Sequence, residues 1–236
     1  MRTKIIVAVV AVAVVGSTYL WAREAFAGFE LGCYTTRASI VPELSPDQFV
    51  EADCAQPHDY EAIAVVVMEN AEERCLREAE QFLGGSWEES RTAVAVLTGG
   101  SQLDERALCV LAETSGTEGK PLGSTRSLKD GMRGDRRLAI TCLVGHEDEY
   151  VFGDCAEGHA AEFVGVLVPP GGDVEGACGE AAARYVGVPE LRADLGVAWL
   201  SRVRELCLVT EAPDPAGRHD TLRASVKGLG TGPLPV

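Results

Sequence analysis

The sequence is short of the signatures that announce catalysis. It has no His-Glu-x-x-His, no Gly-x-Ser-x-Gly and no glycine loop set before a helix to cradle phosphate. It also has no Cys-x-x-Cys pair, and the Cys-x-x-x-His spacing of Cys54 and His58 has no second tight pair beside it, which argues against structural zinc. Positive charge is scarce as well. Lys and Arg number 21 against 36 Asp and Glu, for a net charge of −15. A field of that sign favours solubility and disfavours nucleic acid or an anionic lipid surface as a partner. Neither a cofactor nor a metal is expected.

What the chain does have begins with an apolar run. Met1-Arg2-Thr3-Lys4 precedes an apolar stretch from Ile5 to about Ala22, and Arg23-Glu24 follows. The stretch is long enough to cross a bilayer, and the basic residues on its amino side would leave everything after Arg23 outside the cytoplasm. An uncleaved single-pass anchor over residues 1–28 is the favoured reading. The alternative is a signal peptide cleaved after Ala25-Phe26-Ala27, before Gly28, giving a secreted protein. Leu31-Gly32-Cys33 resembles a lipoprotein site only faintly, because Glu30 stands where an apolar residue belongs.

The body of the chain repeats itself. Asp53-Cys54-Ala55-Gln56-Pro57-His58-Asp59-Tyr60-Glu61 returns as Asp154-Cys155-Ala156-Glu157-Gly158-His159-Ala160-Ala161-Glu162, so both copies read Asp-Cys-Ala-x-x-His-x-x-Glu. Cys75, Ala79, Phe82 and Gly84 are answered by Cys178, Ala182, Tyr185 and Gly187, and Arg106-Ala107-Leu108-Cys109 by Arg204-Glu205-Leu206-Cys207. A fixed order of matching positions is the mark of a duplicated module.

All eight cysteines, Cys33, Cys54, Cys75, Cys109, Cys142, Cys155, Cys178 and Cys207, follow the apolar stretch. In an exported chain an even count reads as disulfides. With bonds confined within each copy, the favoured set is Cys33 with Cys54, Cys75 with Cys109, Cys142 with Cys155, and Cys178 with Cys207. The first bond of each copy would staple neighbouring strands, and the second would tie a helix to the closing strand.

Periodicity gives strands near Gln48–Cys54, Glu61–Val67, Arg91–Leu97 and Arg106–Ala112, with a helix over Ala71–Leu83 whose inner face carries Ala71, Cys75, Ala79 and Phe82. The second copy follows with strands near Tyr150–Cys155, Ala161–Val168, Val197–Leu200 and Arg204–Thr210 and a helix over about Val174–Val186. The expected fold class is α+β: two tandem small antiparallel sheets, each with one helix, stapled by disulfides and preceded by a transmembrane helix. The expected domains are 29–112 and 137–227, joined by a linker over 113–136 and followed by a disordered Gly- and Pro-rich tail over 228–236.

These residues resemble the septum-formation domain proteins of actinobacterial cell envelopes, in which Val-x-Cys-x-x-Pro-His-x-x-Glu-Val precedes a cysteine-bearing helix and a strand ending in Arg-x-x-Cys. Val50 to Glu61 carries the resemblance best. Gly119 to Arg126 is similar to that family's closing Gly-Ser-x-Arg segment, and the second copy departs from the pattern at Gly158 and Arg202-Val203-Arg204. Gly134 to Cys142 also resembles the closing strand, which would instead place Cys142 in the first copy. The resemblance implies two tandem copies in an anchored envelope module associated with septum formation, and it does not imply a reaction.

His58 with Glu61, and His159 with Glu162, are the residues with chemistry to offer, as a base with its orienting carboxylate or as two metal ligands. With no nucleophile or third ligand at a diagnostic spacing, the favoured reading is structural. Each histidine would bond backbone in the turn after its cysteine, each glutamate would open a strand, and Asp53 and Asp154 would cap the turns, with a ligand- or partner-binding role for these residues as the alternative. Lys120, Arg126, Lys129, Arg133, Arg136 and Arg137 form a basic patch suited to a solvated linker or, less simply, to an anionic wall polymer. Trp87 and Trp199 read as core or rim, and His146 and His219 as loop residues. The expected function is therefore non-enzymatic: an extracytoplasmic, membrane-anchored pair of interaction modules for an envelope or division protein or wall polymer. The alternative is an exported hydrolase or metal-dependent enzyme using the His and Glu pairs.

Overall fold

The computed structural model describes residues 30–36, 48–98, 105–116, 121–145, 150–202, 204–213 and 221–235. The expected anchor, Gly28, Lys120, His146 and His219 lie outside them. Among the described residues no helix is long and apolar enough to cross a membrane.

The chain divides into two compact units that interleave along the sequence. One holds Met1–Phe82, Val94–Ala112 and Gly123–Leu128, and the other Leu83–Ala93, Glu113–Leu122 and Lys129–Val236. The first sheet is built from β1 (Gly32–Thr36), β2 (Phe49–Ala52), β3 (Tyr60–Val67), β4 (Thr92–Thr98) and β5 (Arg106–Glu113), in the order β2-β1-β3-β5-β4. The second contains β6 (Cys142–Val144), β7 (Val151–Gly153), β8 (Ala161–Val168), β9 (Leu195–Ser201) and β10 (Glu205–Glu211), in the order β7-β6-β8-β10-β9. The two orders correspond strand for strand. Helix α1 (Ala71–Leu83) lies between β3 and β4 in sequence, as α2 (Val174–Val186) lies between β8 and β9.

Local chemistry explains the helices. Asp173 caps α2 by accepting from Gly176 N, and Gly187, at φ 88°, ends it by donating its N–H to Ala183 O. In α1 the buried positions are Ala71, Cys75, Ala79 and Leu83, one residue every fourth place, while Phe82 is only half-buried. Gly84 takes φ 75° just beyond it, where a left-handed residue stops a helix at least cost.

Both long inner strands carry an irregularity at the same place. β3 slips against β5 between Ala62 and Ala64, and β8 slips against β10 opposite Leu206 and Leu208, where Gly165 takes φ 78°. Such a bulge bends the strand and sharpens its twist.

Four disulfides join Cys33 to Cys54, Cys75 to Cys109, Cys142 to Cys155 and Cys178 to Cys207, with Cα separations of 5.0 to 5.2 Å. This is the pairing favoured from sequence. The first and third bonds tie β1 and β6 to the turn following the neighbouring strand. The others pin each helix to β5 or β10. They close loops of 13 to 34 residues, and bonds of that span contribute roughly 3 to 4 kcal/mol each in the chain-entropy model.

Residues of both the expected linker and the expected tail are built into the units. Within 113–136, Leu128 and Met132 are buried, and Met132 N donates to Leu83 O at 2.9 Å. Residues 228–235 are not free either. Gly228 N donates to Tyr185 O and Gly230 N to Val186 O, both at 2.8 Å, while Arg192 Nη1 donates to Gly230 O and Gly232 O. Gly228 and Gly230 sit at φ 68° and 62°, so the glycines that suggested disorder supply the turns that fold the segment back.

Candidate functional site

Strand register builds the same site in each unit. Glu61 of β3 lies opposite Cys33 of β1 on one side and Leu111 of β5 on the other, so the three side chains share one face. In the other sheet Glu162 of β8 lies between Cys142 of β6 and Val209 of β10. Because Cys109 and Cys207 stand two residues from Leu111 and Val209, this is the face to which the helices are pinned.

The histidines reach that face from a tight turn. Asp53 Oδ1 accepts from Ala55 N at 2.9 Å, and Gln56 N donates to Asp53 O at 2.8 Å. Asp154 holds the second turn in the same way, through Ala156 N at 2.9 Å and Glu157 N at 3.1 Å. Both aspartates therefore cap their turns, the role expected for them. Beyond each turn, His58 Nδ1 faces Gln56 O and His159 Nδ1 faces Glu157 O, both at 2.8 Å. The opposite ring nitrogens meet the glutamates, with His58 Nε2 3.1 Å from Glu61 Oε1 and His159 Nε2 3.0 Å from Glu162 Oε1.

This geometry fixes where protons sit. A carbonyl only accepts, so each Nδ1 carries hydrogen, and one further proton lies between Nε2 and the carboxyl group. Whichever atom holds it, the pair has no net charge. That matters because His58 and Glu61 are 1% and 2% exposed, and His159 and Glu162 are both 0% exposed. An unpaired charge at such a place would be strongly destabilising.

The remaining capacity of each carboxyl group is used by a segment remote in sequence. Glu61 accepts from Leu128 N at 2.5 Å and Ser127 Oγ at 2.9 Å. Glu162 accepts from Val226 N and Ser225 Oγ, both at 2.8 Å, and from Tyr185 OH at 2.9 Å. Backbone bonds reinforce the connection, since His58 N donates to Ser124 O and His159 N to Leu222 O, both at 2.9 Å. Each His and Glu pair thus clasps the closing segment of its unit against the sheet.

Sequence reasoning missed Ser127, Ser225 and Tyr185. A signal was present, because Ser127-Leu128-Lys129 is answered by Ser225-Val226-Lys227 at the spacing that relates Cys109 to Cys207.

A family model for septum formation matches residues 67–205, more than half of the chain. The chain belongs to the septum formation family. No curated protein and no solved structure matches it. The septum formation match runs from the last residue of β3 to the first of β10, so it takes in α1, His159, Glu162 and α2, while His58 and Glu61 precede it.

The other expected site residues are dispersed. Within the basic patch, Arg136 pairs with Glu89 at 2.6 Å and Arg133 with Asp130 at 3.3 Å. Trp199 is largely exposed on β9. Trp87 lies under the Arg202 guanidinium, 5.5 Å from the ring centroid. Burial pushes Arg202 down to about 10, opposed by the nearby charge of Glu88.

Proposed function

We propose that this member of the septum formation family is a non-enzymatic, membrane-anchored protein of the cell envelope, with two tandem family modules outside the cytoplasm that bind another envelope or division component. The observation that carries this reading is the state of its most chemical residues. His58, Glu61, His159 and Glu162 are buried and spend their hydrogen bonds inside the fold. A general base must present a nitrogen to substrate, and here both ring nitrogens face internal acceptors.

Binding would then fall to the outer surface. Val50 on β2 is partly exposed, as are Val144 and Val151, which pair across β6 and β7. Two linked modules gain avidity when the partner offers two sites within reach, so each contact can be weak.

The test is in-cell photo-crosslinking of the full-length chain from Val50 and Val151 in dividing cells, with the protein's position followed by fluorescence. Recovery of one envelope or division component from both positions, with enrichment at the septum, supports the reading. No specific adduct from either position, together with turnover that is lost in folded His58→Ala protein, replaces it with an exported enzyme.

A further inference from the structure

The first disulfide of each unit has an unusual neighbour. Cys33 Sγ, a ring nitrogen of His58 and a carboxyl oxygen of Glu61 all lie within 4.8 Å of one another, and Cys142, His159 and Glu162 form the same cluster. Thiolate, imidazole and carboxylate are three of the ligand types that bind zinc. In the oxidised protein the sulfur is committed to its bond with Cys54 or Cys155, so it carries no thiolate.

The four disulfides differ in access. Cys75, Cys109, Cys178 and Cys207 are fully buried. Cys54 and Cys155 are half-buried, whereas their partners Cys33 and Cys142 lie inside beside the histidines. The partly exposed Cys54 and Cys155 give an external thiolate a side from which to approach these two bonds, which the fully buried pairs do not offer.

We propose that the Cys33–Cys54 and Cys142–Cys155 bonds each mask a zinc-type site, which opens when an external dithiol reduces the bond. One thiolate of the dithiol attacks Cys54 Sγ, the S–S bond breaks, and Cys33 leaves as a thiolate next to the His58 imidazole. The second thiol of the dithiol resolves the mixed disulfide. The dithiol is thereby oxidised by two electrons to its own disulfide, and the freed Cys54 takes up a proton. Cys33, His58 and Glu61 then supply three ligands, with Cys54 close enough in the chain to complete a tetrahedral set. On metal binding the proton held between His58 Nε2 and Glu61 leaves to solvent, as does that of Cys54. Cys142, His159, Glu162 and Cys155 repeat the scheme.

Register supports persistence of the site after reduction. Cys33 and Glu61 are direct cross-strand partners, as are Cys142 and Glu162, so their proximity depends on ladder hydrogen bonds as well as on the disulfide. His58 and His159 are held by backbone bonds to Ser124 and Leu222. This inference is independent of the binding role proposed above.

The experiment is a graded dithiothreitol titration of the full-length protein in detergent, with thiols mapped by peptide mass spectrometry and zinc uptake followed by competition with a chromophoric chelator. The expected result is that Cys33–Cys54 and Cys142–Cys155 open before the other two bonds, and that about one zinc per opened unit is retained. Cobalt in place of zinc should give a thiolate charge-transfer band. Because reduction perturbs the whole protein, Cys54→Ser and Cys155→Ser provide a second route: each exposes the inner thiol without reductant and should bind metal constitutively. Earlier opening of the buried bonds, no zinc in protein whose outer bonds are shown to be open, or unfolding of both the reduced protein and the serine variants overturns the proposal.

Discussion

The Tyr185 hydroxyl donates to Glu162 Oε2 at 2.9 Å, whereas the helix of the other unit has Phe82 at the matching place. Among the described residues Glu162 therefore has four hydrogen-bond partners and Glu61 three. Tyr185→Phe should lower the stability of the second unit by about 1 to 2 kcal/mol, the usual worth of a hydrogen bond to a charged group when the donor is only half-buried. Denaturant midpoints at constant m-value check this. An unchanged midpoint would show that Ser225 and Val226 suffice to hold the carboxyl group.

The same hydroxyl has a pH signature. Burial, then the charge of Glu162, pushes Tyr185 from an ordinary 10 up to about 12. A group whose value rises on folding stabilises the fold fully below its unfolded value, and the contribution is lost as pH climbs through the folded value. The wild-type protein should lose stability between pH 10 and about 12, and Tyr185→Phe should lose less. Tyrosinate absorbance provides the direct measurement. If the signal missing from Tyr185→Phe titrates near pH 10, the hydroxyl is not held as described.

The histidines should behave as structural groups. His58→Ala removes one member of a buried pair and leaves the Glu61 carboxyl group without the partner that shares its proton, which should cost about 3 to 5 kcal/mol, and His159→Ala should cost a similar amount. Glu61→Gln should cost less, roughly 1 to 3 kcal/mol, because the amide brings no charge, although Leu128 N and His58 Nε2 meet the same Oε1 and one amide atom placed there can match only one of them. Thermal or denaturant unfolding distinguishes these outcomes. A folded His58→Ala protein with a wild-type midpoint would show that the pair does not hold the closing segment.

Much of this was legible in the sequence, and the part that was not has a physical reason. Both helices and the long strands follow from local pattern, since a helix face or an alternating strand is written in consecutive residues, whereas the cysteine pairing was a choice among those that the duplication left open. Strand β1 was known only through Cys33, and β6 only through Cys142, because each is short. The clasp was half visible: the His and Glu pairs stood out, and their partners did not. Ser127 and Ser225 sit in stretches rich in Gly, Ser and Lys, a composition that has no periodicity. Their order comes from bonds to a carboxyl group more than sixty residues away. Interactions of that range leave no local trace, although the matching Ser-Leu-Lys and Ser-Val-Lys triplets did.

Arg202 offers a test within the second unit. Its Nη1 donates to the carbonyl oxygens of Trp87, Glu88 and Ser90 at 3.1 to 3.3 Å, and Arg204 Nε reaches Glu88 Oε2 at 2.5 Å. Arg202→Ala should lower that unit's stability by roughly 1 to 3 kcal/mol and shift Trp87 fluorescence, since the carbonyls lose a charged donor and the ring its cover. Arg202→Lys should recover little, because a compact ammonium does not reproduce the guanidinium that covers the Trp87 ring. Full recovery by lysine would reduce the interaction to charge alone.

Truncation separates an ordered carboxyl terminus from a dispensable one. A chain ending at Lys227 keeps Leu222, Ser225 and Val226 and loses the bonds from Gly228 N to Tyr185 O, from Gly230 N to Val186 O, and from Arg192 to Gly230 O and Gly232 O. It should fold with a clear loss, on the order of 2 to 4 kcal/mol for several exchanged hydrogen bonds and the partial exposure of Val186 and Leu195. A chain ending before Thr221 loses the whole clasp. Glu162 would forfeit Ser225 and Val226, His159 its backbone partner Leu222, and the apolar cluster around Ala182, Val186 and Val209 two of its fully buried members, Leu222 and Val226. The second unit should then fail to fold. Limited proteolysis and amide exchange across α2 and β8 read both variants. Native protection across α2 in the shorter chain would mean that the segment rests on the unit without closing it.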